Sequence, residues 1–279
     1  MKTIKLNNGI EMPQMGFGVY QILPTECERC VNDALQTGYR MIDTAQAYHN
    51  EEGVGNAIKR SGIDRKEIFL VSKIWISNYG YEKAKVSIDE SLRNLKTDYI
   101  DLMLLHQPFC DRYGAYRALE EAYREGKLRA IGVSNFYPDH FIDIAGNMEI
   151  VPAVNQVETH VFNQQTESAK IMEEFGTRIM SWGPFAEGRN GFFTNPLLAG
   201  IGAKYGKSVA QVALRWLIQR GVIIIPKSTH IERMRQNIDI FDFELTAEDM
   251  ASIATLDTKK SLFFDHHDAE TARMFMERR

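Results

Sequence analysis

Short apolar runs recur along the chain, and each is followed by a stretch whose apolar residues share one helical face. Several of the runs, such as residues 102–105, are apolar throughout, which is typical of strands buried on both sides of a sheet. Helices are predicted between the strands, for example at 82–95 and 209–220, where apolar residues recur every three or four positions. The predicted strands are residues 15–19, 41–45, 68–75, 100–106, 130–134, 153–157, 178–182 and 222–226.

Eight strand–helix repeats predict an α/β fold, a (β/α)8 TIM barrel closed by parallel strands. An open, doubly wound sheet is the alternative, and the length of the repeating region favours closure. No low-complexity linker divides the chain, so residues 1–279 are expected to form one barrel domain.

The segments outside the repeats are predicted to be a hairpin and three long loops. Near the N-terminus, apolar residues on either side of Asn7-Asn8-Gly9 predict a β-hairpin with a tight two-residue turn, because Asn-Gly supplies positive φ angles. Residues 107–113, 185–206 and 262–279 show no regular pattern. We expect these irregular segments to form long loops over the C-terminal rim of the barrel.

Composition narrows the class of partner. The net charge is −4, so no general basic field is available for nucleic acid or an anionic membrane. No apolar run approaches the length of a membrane span, and the N-terminus lacks the apolar core of a signal peptide. We therefore expect a cytoplasmic protein with a small-molecule substrate and with neither a nucleic-acid nor a membrane partner.

The three cysteines cannot all pair within the chain, which fits a reducing compartment. Cys27 and Cys30 form a CxxC motif near a predicted helix start, but a redox or zinc role needs basic neighbours or further ligands. Ordinary helix positions are the favoured interpretation. His266 and His267 also lack further ligands, so no metal site is predicted.

Four ionisable residues are predicted to lie at the carboxyl ends of the second, third and fourth strands, where barrel enzymes place their sites. They are Asp43, Tyr48, Lys73 and His106. Singly, each has a structural explanation, such as capping, packing or a hydrogen-bonded core position. Together they suit carbonyl reduction, in which hydride reaches carbon and a proton must reach oxygen. A tyrosine can donate that proton if a lysine ammonium, itself kept charged by an aspartate, lowers its pKa.

Six segments together resemble the aldo-keto reductase family. They follow one another in unbroken order within a match that runs from Gly16 to about Leu256. The segments are 38–45 (GYRMIDTA, followed by Tyr48 and Asn50-Glu51), 71–75 (VSKIW), 104–108 (LLHQP), 131–136 (IGVSNF), 155–158 (NQVE) and 225–228 (IPKS, followed by Arg233 and Asn237).

The resemblance implies a barrel that binds a nicotinamide cofactor without a Rossmann fold, and no GxGxxG fingerprint follows a strand in this chain. It implies that Tyr48 is the general acid, that Lys73 and Asp43 lower its pKa, and that His106 orients the substrate oxygen. The residues implied to surround the nicotinamide are Ser134, Asn135, Gln156, Trp182 and Gly183. Trp182 replaces a frequent tyrosine and keeps a flat stacking face, while Gly183 replaces a frequent serine and removes a hydroxyl.

The carboxyl-terminal signature implies a preference for NADPH. Lys227, Ser228 and Arg233 are expected to hold the 2′-phosphate through charge-assisted hydrogen bonds, although a solvated basic stretch is the alternative. Asn237 is implied to contact the adenine. Gln236 stands where the family often has glutamate, which leaves the adenine contacts less defined.

The substrate pocket is expected to be lined by Tyr20, Trp75, His106 and Phe109, with the phenylalanines at 192–193 and 263–264 nearby. The pattern is most similar to bacterial reductases of methylglyoxal and diketo-gluconic acid. The resemblance therefore implies a monomeric enzyme that reduces small aldehydes and ketones with NADPH. An NADPH-binding sensor subunit and an aldolase with a Schiff base on Lys73 or Lys227 are the alternatives.

Overall fold

Eight parallel strands form the centre of the molecule in a computed structural model that describes residues 2–278. Each strand pairs with the next one along the chain. The strands are β3 (Phe17–Gly18), β4 (Met41–Asp43), β5 (Phe69–Ile74), β6 (Leu102–Leu105), β7 (Ile131–Ser134), β8 (Val154–Glu158), β9 (Arg178–Trp182) and β10 (Ile223–Ile224). All eight coincide with predicted strands, several of them shorter by one to three residues.

The sheet closes on itself between its first and last strands. Met15 forms a parallel bridge with Ile224, and the Gly16 N–H donates to the Ile224 carbonyl over 2.8 Å. Farther along, the Gly18 N–H donates to the Pro226 carbonyl over 3.3 Å. A Cβ on Gly18 would lie 2.9 Å from the Ile225 carbonyl oxygen, so only glycine permits this approach. The predicted (β/α)8 barrel is confirmed, and the open sheet is excluded.

Helices surround the barrel and connect its strands. They are α1 (Pro24–Thr37), α2 (Glu51–Arg60), α3 (Tyr81–Leu95), α4 (Arg112–Arg124), α5 (Pro138–Asn147), α6 (Thr166–Glu174), α7 (Pro196–Tyr205), α8 (Val209–Gln219), α9 (Ile231–Ile238), α10 (Ala247–Ala254) and α11 (Ala269–Met276). Within residues 2–278, none of these helices is long and apolar enough to cross a membrane.

Two segments predicted to be irregular contain helices. Helix α7 begins after Asn195, whose side chain accepts from the Leu198 N–H, and α11 begins after Asp268, whose side chain accepts from the Thr271 N–H. Both are helix N-caps, which satisfy a backbone donor that the first turn leaves unpaired. The prediction was wrong here because these cap signals outweigh the weak apolar periodicity.

The N-terminal hairpin is present, but its turn differs from the prediction. Strands β1 (Thr3–Lys5) and β2 (Glu11–Pro13) pair antiparallel, and the Leu6 N–H donates to the Ile10 carbonyl over 2.9 Å. The connection therefore has three residues, and of these only Gly9 has positive φ. A two-residue turn of the expected type needs two such residues, whereas a three-residue loop needs one.

Two hydrophobic cores hold the barrel. One lies between the barrel and its helices; the other fills the barrel interior and includes Leu6 and Met12 of the hairpin region. The hairpin residues pack there with Met41, Leu104 and Ile223 of the strands. The hairpin thus covers one end of the barrel and leaves the carboxyl ends of the strands for a site.

The CxxC cysteines occupy the buried face of α1. Cys27 and Cys30 are fully buried, and burial raises the pKa of the Cys27 thiol to about 12, with Cys30 adding to the effect. A redox cysteine instead needs a stabilised thiolate. The structure therefore supports the interpretation of this motif as packing.

Candidate functional site

A cavity of about 900 Å³ opens at the carboxyl ends of the strands. Asp43 lies at the end of β4, Lys73 lies near the end of β5, and His106 follows β6 directly. Tyr48 ends a short 3-10 turn, Gln46–Tyr48, between β4 and α2. Of the four residues proposed for catalysis, Asp43, Tyr48 and His106 line the cavity, and Lys73 is buried behind Tyr48.

The buried lysine connects an aspartate to the tyrosine hydroxyl. Lys73 Nζ donates to Asp43 Oδ1 over 2.6 Å and to the Thr44 carbonyl over 2.9 Å. Its third contact is with Tyr48 Oη, 3.4 Å away. A fully buried ammonium is stable only when it is paired and hydrogen-bonded, and these contacts meet that requirement.

The structure corrects the expected direction of the tyrosine pKa. Burial raises the pKa of Tyr48 well above its usual value, and the negative charge of Asp43 acts in the same direction. Burial also lowers the pKa of Lys73, although Asp43 opposes this change. The expected decrease for Tyr48 does not appear because burial of the hydroxyl outweighs the effect of the Lys73 ammonium, whose charge Asp43 Oδ1, 2.6 Å from Lys73 Nζ, also offsets. The phenol is therefore protonated at neutral pH.

His106 is a neutral imidazole at the cavity wall. Burial, together with the nearby Lys73 ammonium, lowers its pKa well below the usual value. Its ring lies edge-on to Tyr48 at 5.6 Å and to Trp75 at 5.1 Å between centroids. Its Nδ1 is buried with no hydrogen-bond partner among residues 2–278. We assign the proton to Nε2, because a buried N–H donor is seldom left unpaired.

Polar side chains of β7 and β8, and of the residue that follows β7, continue the cavity wall. Gln156 Nε2 donates to Asp43 Oδ2 over 2.9 Å, which connects the amide to the lysine–aspartate pair. Ser134 Oγ donates to the Gln156 carbonyl over 2.9 Å. Asn135 has positive φ, which asparagine tolerates, and its Nδ2 donates to the His106 carbonyl over 3.0 Å. The three residues form one buried network beside His106.

Trp182 ends β9 and presents a half-buried ring to the cavity. Its Nε1 donates to Asn135 Oδ1 over 2.8 Å, which fixes the plane of the indole. Gly183 follows with a φ of 63°, a conformation that glycine adopts without strain, and it also lines the cavity. A flat ring held next to a glycine, which has no side chain, is suited to stacking against a planar ligand.

Basic groups follow the last strand. Lys227 is exposed and lines the cavity, and Arg233 is exposed in the first turns of α9. Within residues 2–278, neither cation forms an ion pair. Ser228 Oγ donates to the His230 carbonyl and accepts from its N–H, and Asn237 is buried in α9. Ser228, Arg233 and Asn237 are not among the residues that line the cavity.

The predicted substrate residues separate into two groups. Tyr20 and Trp75 line the cavity, and the Tyr20 ring lies 5.0 Å from that of Tyr48. Phe109 does not line it; its ring stacks on His266 at 6.1 Å and on Phe275 at 5.5 Å. Phe275 of α11 contacts Phe109 and itself lines the cavity, whereas the expected direct contact of Phe109 with the cavity is not seen.

Of the C-terminal residues at the site, the sequence analysis identified Phe264 but not Phe275 and Arg278. Phe275 and Arg278 line the cavity, and Trp75 Nε1 donates to the Arg278 carbonyl over 3.0 Å. Gln46 was also missed: its Oε1 accepts from the Trp75 N–H and from Asn78 Nδ2. The N-cap at Asp268 and the apolar spacing of α11 could have indicated a helix there.

Comparison with known proteins identifies the family. The aldo/keto reductase family model matches residues 14–258. A glyoxal reductase from Bacillus subtilis is 46% identical over 256 residues, or 91% of this chain and 92% of that protein. The crystal structure of a Bombyx mori aldo-keto reductase in complex with NADP superposes with a TM-score of 0.90 at 33% identity, covering 98% of this chain and 96% of that one.

A solved structure described as a putative 2,5-diketo-D-gluconic acid reductase B is 39% identical, with a TM-score of 0.91 and 95% of both chains covered. The glyoxal reductase and the putative diketo-gluconic acid reductase agree with the resemblance found in the sequence motifs. The chain belongs to the aldo/keto reductase family.

Proposed function

We propose that this chain reduces small aldehydes and ketones to alcohols with NADPH, with Tyr48 as the proton donor. The observation that carries the proposal is the contact of Tyr48 Oη with a fully buried Lys73–Asp43 pair at the wall of a cavity. Membership of the aldo/keto reductase family makes the chain an NADP-dependent oxidoreductase. The acid, the site residues and the substrates are proposed here.

The donor set fits a nicotinamide cofactor. The amides of Asn135 and Gln156 lie at the cavity wall beside the Trp182 ring, and a carboxamide needs both donors and acceptors. Lys227 and Arg233 are cations with no ion pair in the described chain, in a protein of net charge −4. Such cations suit an anionic ligand.

When bound, NADPH supplies the hydride that the carbonyl carbon accepts. Ser134, Asn135 and Gln156 would hold its carboxamide, Trp182 would offer a flat ring to its nicotinamide, and Gly183 would leave room beside that ring. Lys227, Ser228 and Arg233 would hold the 2′-phosphate, and Asn237 would contact the adenine.

Proton delivery is the task of the tyrosine. Its raised pKa keeps the phenol protonated, so the proton is present when a carbonyl arrives. As negative charge develops on the substrate oxygen, the proton moves from Tyr48 Oη to that oxygen. The phenolate left behind lies 3.4 Å from the Lys73 ammonium. Lys73 therefore stabilises the charge that appears during the reaction, which is where stabilisation accelerates it.

Neutral His106 donates its remaining N–H to the carbonyl oxygen and so selects a substrate orientation. An imidazolium at this position would compete with Tyr48 as the acid, and the lowered pKa of His106 prevents this. Asp43 holds Lys73 in place and accepts from Gln156. One carboxylate thus connects the proton-donating group with the cofactor-binding group.

The substrate range follows from the walls of the cavity. Aromatic rings of Tyr20, Trp75 and Phe264 line it, and its lining also includes the basic residues Lys227 and Arg278. Small dicarbonyls such as methylglyoxal, and diketo-sugar acids, fit this description. The activities of the similar glyoxal reductase and diketo-gluconic acid reductase support the same substrate classes.

The test is a panel of carbonyl compounds, including methylglyoxal and 4-nitrobenzaldehyde, assayed with NADPH and with NADH. We expect loss of NADPH absorbance with at least the small dicarbonyls, and slower loss of NADH absorbance. Tight NADPH binding without turnover of any carbonyl would contradict the proposal and favour a cofactor-sensing protein.

A further inference from the structure

A buried carboxylate attaches the C-terminal segment to the barrel. Glu158 ends β8 and is fully buried, and its Oε1 accepts from the Leu262 N–H over 2.9 Å. Its Oε2 accepts from Ser261 Oγ, while His160 Nε2 lies 2.9 Å from Oε1. Burial raises the pKa of this carboxyl, but the hydrogen bonds from His160, Ser261 and Leu262 outweigh it and hold the pKa below its usual value. The group is therefore an ionised acceptor with specific partners.

One hydroxyl shapes the turn that follows. Ser261 Oγ donates to Glu158 and accepts from the N–H groups of Phe263 and Phe264, each over 3.0 Å. The two rings that leave this turn lie at the site: Phe264 lines the cavity, and Phe263 packs edge-on against Trp182 at 5.1 Å. The backbone that carries both rings is thus hydrogen-bonded to one side-chain oxygen, while ring contacts with Trp182, Phe275 and Arg189 add to their placement.

Two further contacts hold the rest of the C-terminal segment. His266 Nε2 lies 2.8 Å from Gln107 Oε1, and Trp75 Nε1 donates to the Arg278 carbonyl over 3.0 Å. These contacts act after residue 264, whereas the turn at 261–264 is held by the hydrogen bonds of Glu158 and Ser261, with Arg189 donating to the Leu262 carbonyl. Loss of the Ser261 hydroxyl should therefore free the turn while α11 stays in place.

We propose that the Glu158–Ser261 pair positions Phe264 and thereby controls substrate selectivity. Phe264 forms the part of the cavity wall that contacts the end of a carbonyl compound remote from its reacting carbon. The inference rests on the proposed reductase function and assigns to it a selectivity residue. An ionised, buried carboxylate requires its hydrogen-bond donors, so the attachment persists although the segment itself is half-buried. Compounds with an aromatic group contact the wall, whereas small dicarbonyls end before it.

Ser261→Ala tests the pair by removing only the hydroxyl. We expect the KM for 4-nitrobenzaldehyde to rise about tenfold, because the substrate loses its contact with an aromatic ring held in one position. The KM for methylglyoxal and both kcat values should stay within about twofold, because the proton donor is untouched. Ser261→Thr keeps the oxygen and should restore the wild-type KM.

Ser168→Ala is the matched control. Ser168 Oγ donates to Gln165 Oε1 over 2.8 Å at α6, so the same type of bond is lost away from the cavity. We expect both KM values of this variant to equal those of the wild type. Equal increases for the two substrates in Ser261→Ala, or the same substrate-dependent increase in Ser168→Ala, would overturn the proposal.

Hydrogen exchange at the amides of Leu262, Phe263 and Phe264 supplies a readout that does not depend on activity. We expect these three amides to exchange faster in Ser261→Ala, while amides of α11 keep their protection. Unchanged exchange would overturn the attachment itself. If the wild type reduces neither aldehyde, the reductase proposal and its selectivity residue fall together, whereas the exchange result still decides the attachment.

Discussion

Tyr48 experiences two opposing influences on its pKa. Burial and Asp43 favour the neutral phenol, whereas the Lys73 ammonium favours the phenolate. Burial prevails in this structure, so the tyrosine holds its proton firmly before the reaction. The sequence motifs identified Tyr48 and Lys73 but not the direction of the tyrosine pKa shift. The depth of burial and the distance between Lys73 and Asp43 are properties of the folded chain.

The pH dependence of reduction follows from these directions. His106 has a lowered pKa and Tyr48 a raised one, so neither titrates near neutrality; Lys73, with a lowered pKa, is the first of the three to lose a proton on the alkaline side. We expect kcat/KM to be flat between about pH 6 and pH 8 and to fall at higher pH. An inflection near pH 6.5 that disappears in His106→Gln would contradict this.

Arg233 is predicted to determine the preference for NADPH. One charge-assisted contact with the 2′-phosphate is worth about 1.5–3 kcal/mol, so Arg233→Ala should raise the Kd for NADPH about 10- to 100-fold. The Kd for NADH should change little, as measured by quenching of tryptophan fluorescence.

Arg235→Ala is the control for this experiment, since Arg235 lies on the same helix and pairs with Glu232. Its Kd for NADPH should match that of the wild type. Equal weakening of NADPH and NADH by Arg233→Ala would show that this residue does not distinguish the two cofactors.

At the scale of elements, the apolar runs located every barrel strand, because strands buried on both faces have a strong signal. The predictions of the hairpin turn and of the strand ends were less accurate. Strand ends depend on hydrogen bonds to neighbouring strands, which the sequence pattern does not show. Helices α7 and α11 were missed, and α11 brings Phe275 to the cavity. The sequence analysis followed apolar periodicity and did not use the cap at Asp268, so the part of the site built from α11 was not predicted.

Gly132 in β7 is predicted to be irreplaceable for strand packing. A Cβ there would lie 2.3 Å from the Val154 carbonyl oxygen and 2.8 Å from Leu104 Cδ2, so Gly132→Ala must displace β8. We expect the free energy of unfolding to fall by about 1–3 kcal/mol, measured by urea denaturation.

Gly146→Ala offers the opposite case. Gly146 lies in α5 with open space around its Cα, so alanine should leave stability unchanged or raise it by up to about 1 kcal/mol. A similar loss in both variants would show that packing between β7 and β8 is not the cause.

At the scale of the whole molecule, the closed barrel determines which residues meet. Asp43, Lys73, His106 and Gln156 are far apart in sequence, and the parallel order of the strands brings their carboxyl ends to one rim. Fold class and family could therefore be predicted from the sequence. The attachment of the C-terminal segment through Glu158 could not, because a contact across 103 residues leaves no local pattern.

The most direct test of the account is Tyr48→Phe, which removes one oxygen from the cavity wall. We expect kcat for methylglyoxal to fall by at least about 10²-fold, the usual contribution of a positioned proton donor, while the Kd for NADPH stays the same. Tyr20→Phe, an identical change at a neighbouring ring, should retain most of the turnover. A Tyr48→Phe enzyme with wild-type kcat would contradict the central claim that this hydroxyl supplies the proton.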